Sequence, residues 1–272
     1  MSTVVVADRQ AHVTRLTRSV RSWLPAAIVF ATGIVSWQWL LPDVAGIESF
    51  LLPRFSDVMD ALWTERDALR TGAWITFKEA LFGLLLGSVT GIAGGLALAR
   101  WRALGGALMP YFIAANAVPV IAFAPVTNAW FGTLSPWSKI VIAAVLCFFP
   151  VLVNTLRGLQ SVQPEQIELM QSYAAGGFET FRRVRFPTAL PYIFTSLKVA
   201  SVLAMIGAVV GEYFGGSFNA LGVLIRSRAQ ILDFDSAWAA IVVACVFGIG
   251  FYAAVAVAER LVVRWAPAAR DS

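Results

Sequence analysis

The sequence predicts an all-α membrane protein with six transmembrane helices and both termini on the cytoplasmic side. Composition, six apolar runs and the placement of the arginines predict it. Of 272 residues, 58% are hydrophobic and 14% charged, with a mean hydropathy of +0.73. A water-soluble domain is nearer half apolar and a quarter charged, so the excess needs lipid as its solvent. Disorder is excluded, since it requires low hydrophobicity. Two cysteines, Cys147 and Cys245, exclude a disulfide-stapled fold, and both read as small hydrophobes in apolar runs. The single histidine, His12, leaves no His/Cys cluster to hold a metal.

A crossing helix needs roughly 20 mostly apolar residues. The candidates are Trp23 to Leu41, about Ile75 to Ala99, about Ala107 to Phe131, Ile140 to Leu156, about Pro191 to Phe214 and about Trp238 to Ala258. The third holds Pro110, Pro119 and Pro125, and the fourth ends near Pro150. Proline is tolerated in lipid where neighbours satisfy the freed carbonyl, and the alternative for one of these two runs is a re-entrant segment. Between the first two spans, Val58, Leu62 and Leu69 at helical spacing predict a short surface helix over Ser56 to Arg70.

Orientation follows from the cations. With the N-terminus inside, thirteen arginines face the cytoplasm, among them Arg9, Arg100, Arg157, Arg182 and Arg260, against at most seven cations outside. The net charge of +5 is thereby explained by topology and gives no reason to expect nucleic acid. The Arg-rich start resembles a signal peptide, but Leu41-Pro42-Asp43 offers no small-residue cleavage site, so the first run reads as a retained helix. The expected division is a cytoplasmic tail over 1–22, a membrane domain over 23–260 and a second tail over 261–272.

Gly83, Gly87, Gly91 and Gly95 recur every four residues in the second span, which puts them on one helix face. Such a stripe lets another backbone approach closely; the partner, in the same chain or a second copy, stays open.

The most informative stretch lies between the fourth and fifth spans, about 157–190. Pro164 can start a helix, with Glu165 and Glu168 in the turn where the positive helix end favours acids. Ala175-Gly176-Gly177 then makes an elbow where small residues are expected. Phe178, Phe181 and Val184 continue an apolar face beside Arg182, Arg183 and Arg185, and Pro187 and Pro191 close the segment. The arrangement fits either an interfacial amphipathic loop or a docking element for a cytoplasmic partner.

This segment resembles the EAA loop of binding-protein-dependent ABC importer permeases: Glu-Ala-Ala, three residues, Gly, nine residues, then aliphatic-x-Leu-Pro. Glu168 takes the first place, Ala174 the glycine place, and Val184, Phe186 and Pro187 keep the spacing, while Leu169 and Met170 replace the alanines. Further fragments resemble the nitrate/sulfonate/taurine-type subfamily: Leu52-Pro53-Arg54-Phe55-Ser56, Trp130-Phe131-Gly132, Phe149-Pro150 with Asn154-Thr155, and Gly211-Glu212. The resemblance implies the type I ABC importer permease fold in a bacterial inner membrane, a coupling helix seated on an ATPase dimer, a soluble or lipid-anchored substrate-binding protein, and a pore built from two permease copies. It marks Glu168, Ser172, Ala174, Ala175, Gly176, Gly177, Phe178, Arg182 and Pro187 as the ATPase-coupling residues. No Gly-Lys dipeptide is present, so there is no phosphate-cradling loop; no cofactor is expected on this chain, and ATP and Mg belong to the partner subunit.

Polar groups inside spans are expensive and usually face a cavity or a partner. Asn116 and Asn128 of the third span, Asn154 of the fourth, and Ser201, Met205 and Glu212 of the fifth are the candidates for the translocation path. Ser201, Met205 and Glu212 fall in one helical stripe, whereas Asn116 and Asn128 share a face only if a proline bends the helix. For the asparagines the competing role is an interhelical hydrogen bond, for Glu212 a pairing with Arg226 or Arg228, and for Lys198 a snorkel to the inner surface. An ion-coupled secondary transporter would need inverted repeats and midplane carboxylates; no repeat is evident and Glu212 is the deep acid. An intramembrane enzyme would need His or Asp clusters that this sequence lacks. The fragments look closest to permeases for pyrimidine-like vitamin precursors or related heterocycles, and nitrate, taurine and alkylsulfonate permeases share the frame.

Overall fold

The computed structural model describes residues 24–40, 52–115 and 119–265. Among them every regular element is helical. The helices are α1 (Leu24–Trp39), α2 (Phe55–Thr64), α3 (Arg66–Arg100), α4 (Arg102–Ala115), α5 (Ala124–Phe131), α6 (Pro136–Gln160), α7 (Pro164–Ser172), α8 (Gly177–Thr180), α9 (Phe186–Phe214), α10 (Leu221–Gln230) and α11 (Phe234–Val262). Four are long and apolar enough to cross a membrane: α3, α6, α11, and the 38-residue run Gly177–Phe214 that joins α8 to α9 through a π turn over Phe181–Arg185.

The remaining two expected spans differ from the expectation. The third is broken: α4 and the run Val120–Phe131 meet at 80°. Pro119 precedes that run, and proline lacks the N–H that would continue the ladder. The first is represented by α1, apolar but shorter than a full crossing; its expected ends at Trp23 and Leu41 lie outside the described residues, as do the tail over 1–22 and the C-terminal 266–272. Pro150, by contrast, sits inside an unbroken α6.

α6 is the centre of the bundle, with α3 on one flank and α9 on the other. The glycine stripe explains the first flank. A Cβ on Gly87 would lie 2.7 Å from Cys147 Cβ, one on Gly91 2.8 Å from the Phe148 carbonyl oxygen, and one on Gly95 2.7 Å from Thr155 Cβ. The stripe therefore meets α6 of the same chain, in parallel register. α9 packs antiparallel on the other flank: Gly158 faces Ala189 Cα at 2.9 Å and Gly207 faces Ala143 Cα at 2.7 Å. Ala143, Cys147, Val151 and Leu156 are buried as a result. α11 closes the bundle against α3 and α9, with Phe77 against Phe247 and Phe251 and Lys198 paired to Glu259 at 2.7 Å. Lys198 therefore bridges two helices.

The expected surface helix over Ser56 to Arg70 is divided at Glu65. α2 ends there and α3 begins one residue later, so the second span starts nine residues before Ile75. Val58 and Leu69 are buried against the core, which makes this stripe part of the bundle. Arg228 fixes the arrangement, pairing with Glu65 and with Asp233 at 3.3 Å, while Asp233 caps α11 through the Ser236 N–H at 3.3 Å. Exposed tryptophans gather at both ends of the bundle: Trp63, Trp74, Trp130 and Trp137 at one, Trp101 and Trp265 at the other. This is the distribution expected of aromatic rings at two lipid–water boundaries.

Gly91→Ala should cost about 1–3 kcal/mol, the usual penalty for overpacking, because its new methyl meets a backbone carbonyl that cannot move alone. Gly250→Ala, with nothing within 4 Å, should leave stability unchanged or slightly raised. Melting of the two purified variants in one detergent checks the contrast.

Candidate functional site

The segment between α6 and α9 is built as the sequence suggests at its start. Pro164 occupies the first turn of α7 with Glu165, whereas Glu168, expected in the same turn, lies beyond it. α7 ends in a Schellman motif: the Ala175 N–H donates to Met170 O at 3.0 Å, and the Ala174 N–H to Gln171 O at 2.8 Å. That motif places its closing residue in the left-handed region, and Ala174 has φ +53°. Ser172 is exposed, its hydroxyl donating to Leu169 O at 2.7 Å.

The helix breaks over 173–176, where the elbow was expected. A Cβ on Gly176 or Gly177 has nothing within 4 Å, Gly176 is extended at φ −69° and ψ 164°, and the left-handed residue of the elbow is Ala174. One expectation needs correcting: Pro187 and Pro191 do not close the segment. Pro187 sits in the first turn of α9 and Pro191 inside it, and the helix runs on from Gly177. The π turn accommodates the proline, with Phe186 N–H donating to Phe181 O five residues back.

The segment presents an apolar surface to solvent, with Leu169, Tyr173 and Phe178 all more than half exposed. Glu168, Arg182 and Gly177 are exposed around it, and Ala175 and Pro187 are half-buried. Behind it lies a cleft of about 890 Å³, between Leu96 and Arg100 of α3, Leu159 of α6, and Gln171, Phe181 and Arg185 of the segment. An exposed apolar patch ringed by charge marks an interaction surface.

The expected path residues are not gathered in one cavity. Asn116 lies outside the described residues. Asn154 is half-buried and its side chain donates to Pro150 O of its own helix at 2.8 Å, with no interhelical hydrogen bond among the described residues. Ser201 is fully buried and donates to Lys198 O at 2.7 Å. Met205 is buried in the core and also borders an apolar groove of about 550 Å³ between α9 and α11. Asn128 is buried beside Gly215, its Oδ1 without a donor. Gly132, which follows α5, has φ +91°, a conformation that favours glycine there.

Glu212 does not pair with Arg226 or Arg228. Arg226 donates to Tyr213 O at 2.9 Å, and Arg228 is held by Glu65 and Asp233. Glu212 Oε2 instead accepts from the Thr76 hydroxyl at 3.0 Å and the Gly222 N–H at 2.8 Å, while Leu221 N–H donates to Thr76 Oγ1 at 3.1 Å. One carboxylate thus ties α9 to α3 and caps α10, satisfying donors that a helix start leaves open. Two residues of this knot escaped the sequence reading: Glu79 on α3, and the fully buried Lys139 on α6, whose ammonium donates to Thr133 O and Ser135 O. The signals were present, a carboxylate within an apolar run and a lysine in the turn after a proline.

Comparison with known proteins decides what this geometry belongs to. The profile of the binding-protein-dependent transport system inner membrane component matches residues 83–264, more than half of the chain. The chain belongs to this family of ABC importer permeases. It is 33% identical over 267 residues to the riboflavin transport system permease protein RibX of Chloroflexus aurantiacus, covering 93% of this chain and 97% of that one. It is 36% identical over 183 residues to the formylaminopyrimidine transport permease protein ThiX of Halalkalibacterium halodurans, covering 67% and 72%. The permease also shares its fold with solved ABC importers: the MetNI methionine transporter, at TM-score 0.54 and 17% identity over 71% of this chain and 97% of that one, and an amino acid ABC transporter, at 0.58 and 16% over 74% and 97%. The permease is thus a multi-pass membrane protein of the type I importer fold. The Ala174 position is the one where the EAA pattern carries glycine, and its left-handed backbone supplies the reason.

Ala174→Gly should stabilise the end of α7 by about 1 kcal/mol, since an L-residue pays roughly 1–2 kcal/mol in that region. Hydrogen exchange should slow at the Ala175 amide, and Ala174→Val should speed it.

Proposed function

We propose that this permease is the membrane-spanning subunit of an ATP-driven importer that passes a small heterocyclic solute of the flavin or pyrimidine-precursor class. The observation that carries the substrate class is the pair of relatives named for riboflavin and formylaminopyrimidine, at 33% and 36% identity. Permeases named for aliphatic sulfonates, taurine and nitrate match at 25–29%. In this reading the solute arrives on a substrate-binding protein, and two permease copies form the path in a bacterial inner membrane. The six spans, counting α1 and the broken third as crossings, leave both termini in the cytoplasm. Asn116 and Asn154 remain the candidate path residues where the two copies meet, whereas Asn128, Ser201, Met205 and Glu212 are buried within this chain.

ATP and Mg are held by a separate ATPase dimer, on which the 157–190 segment docks. Leu169, Tyr173 and Phe178 supply the apolar contact, with Glu168 and Arg182 at its edge. The continuous helix from Gly177 to Phe214 carries a displacement of that dock to the opposite end of the bundle. A rigid element of this kind serves alternating access, in which one bundle rocks against another around the site.

Three measurements test the proposal. In proteoliposomes with its ATPase and binding protein, ATP-dependent uptake of riboflavin or formylaminopyrimidine is expected, and uptake of taurine or nitrate alone would overturn the substrate class. Phe178→Asp and Glu168→Lys should each lower ATPase co-purification at least tenfold while membrane insertion is unchanged. Full co-purification of both variants would place the dock elsewhere. Native mass spectrometry of the complex should show two permease copies; a single copy, or a second, different permease, would contradict the homodimer.

A further inference from the structure

The knot at the end of the bundle opposite the docking segment contains two buried carboxyl groups and one buried ammonium group. Glu212 is fully buried, Glu79 is 5% exposed, and Lys139 is fully buried. Two carboxyl oxygens in it, Glu79 Oε2 and Glu212 Oε1, have no hydrogen-bond donor among the described residues, and Glu79 lies one helical turn after Thr76, whose hydroxyl donates to Glu212 at 3.0 Å. Asn128 Oδ1 of α5 is a third buried acceptor at this end of the bundle without a donor.

Among the described residues, the cations that reach the pair are the buried Lys139 and, acting on Glu79 from the surface, Lys78. From α6, Lys139 faces both carboxyl groups, but its ammonium is turned to the carbonyls of Thr133 and Ser135. On α3, Lys78 is exposed and lies over the Trp74 ring at 5.8 Å. On α10, Arg226 donates to Tyr213 O and Arg228 to Glu65 and Asp233. At the start of α11 the charged groups are acids, Asp233 and Asp235. The knot thus carries one more acidic than basic group. A surplus charge held away from water costs several kcal/mol, and intramembrane carboxylates survive by pairing or by facing water. Glu79 and Glu212 do neither fully.

We propose that this knot takes one further unit of positive charge, a proton or an alkali-metal ion, between Glu79 and Glu212. The closure of the site sets the size: both side chains are buried, so an organic cation does not fit. The bound cation supplies what both orphan oxygens lack, and it holds α3 against α9. Because Glu212 lies on the same unbroken helix as the docking segment, the occupant stabilises the end of the path farthest from the ATPase. The stability of this arrangement then depends on the concentration of that cation, whichever solute is transported.

The test uses the full-length permease in lipid nanodiscs and compares the melting temperatures of wild type and Glu79→Gln. The amide keeps the side-chain shape, removes the surplus charge and donates an N–H to Glu212. One series varies pH in choline chloride; the other holds pH and replaces choline chloride by NaCl or KCl. The difference between the two proteins is expected to change by roughly 3 °C or more per tenfold change in cation concentration. A change in the pH series identifies a proton, and a change in the salt series an alkali ion. Glu212→Gln is the second variant and should behave likewise if Glu79→Gln does not accumulate. A difference that stays constant in both series overturns the proposal.

Discussion

Backbone contact along α6 is the constraint on which the other features of this permease depend. In lipid a helix gains nothing by turning an apolar face toward another helix, since acyl chains are equally apolar. Association must come from close packing, and close packing here comes from removing side chains. Gly83, Gly87, Gly91 and Gly95 bring α3 onto one side of α6, while Gly158, Gly207 and Gly211 bring α9 onto the other. Every site described above hangs from this three-helix slab. The cleft behind the docking segment lies where the ends of α3 and α6 meet it, and the Glu212 knot closes the opposite ends.

Polar groups then do what glycine cannot, which is to fix register. Glu212 joins α9 to Thr76 of α3 and to the start of α10. Lys198 joins α9 to Glu259 of α11, and Arg228 joins the ends of α2 and α10 to the start of α11. Glu212 and Arg228 sit near helix ends, and Lys198 adds a tie in the middle of α9. The long helix from Gly177 to Phe214 passes through two of the three, so it is held at several heights against its neighbours.

Much of this was legible in the sequence, and the failures have physical causes. Apolar run length gave the long spans because lipid imposes a minimum on it, and the four-residue glycine period gave a packing face without naming its partner. The start of the 157–190 segment was legible from Pro164 and Glu165. Its inner geometry was not. Gly176 and Gly177 drew the elbow to themselves because glycine signals conformational freedom, yet the left-handed residue is Ala174, identified by hydrogen bonds that composition cannot show. Pro187 and Pro191 read as terminators because a π turn, which absorbs a proline, has no sequence signature of its own. Glu79 was passed over inside an apolar run, and its significance depends on Glu212, 133 positions later.

The proposed mechanism requires the Gly177–Phe214 helix to transmit movement as one body from the 157–190 segment to the Glu212 end. Spin labels at Arg183 and Tyr213, both exposed, should be separated by about 45 Å along the helix at 1.5 Å per residue. Pulsed electron spin resonance on the assembled transporter, with and without trapped ATP, tests the claim directly. The distance between the two labels should stay the same in both nucleotide states, while the distance from Tyr213 to its equivalent in the second copy changes. A change of several ångström within the single helix would show that it bends at the π turn or at Pro191, and would contradict the account.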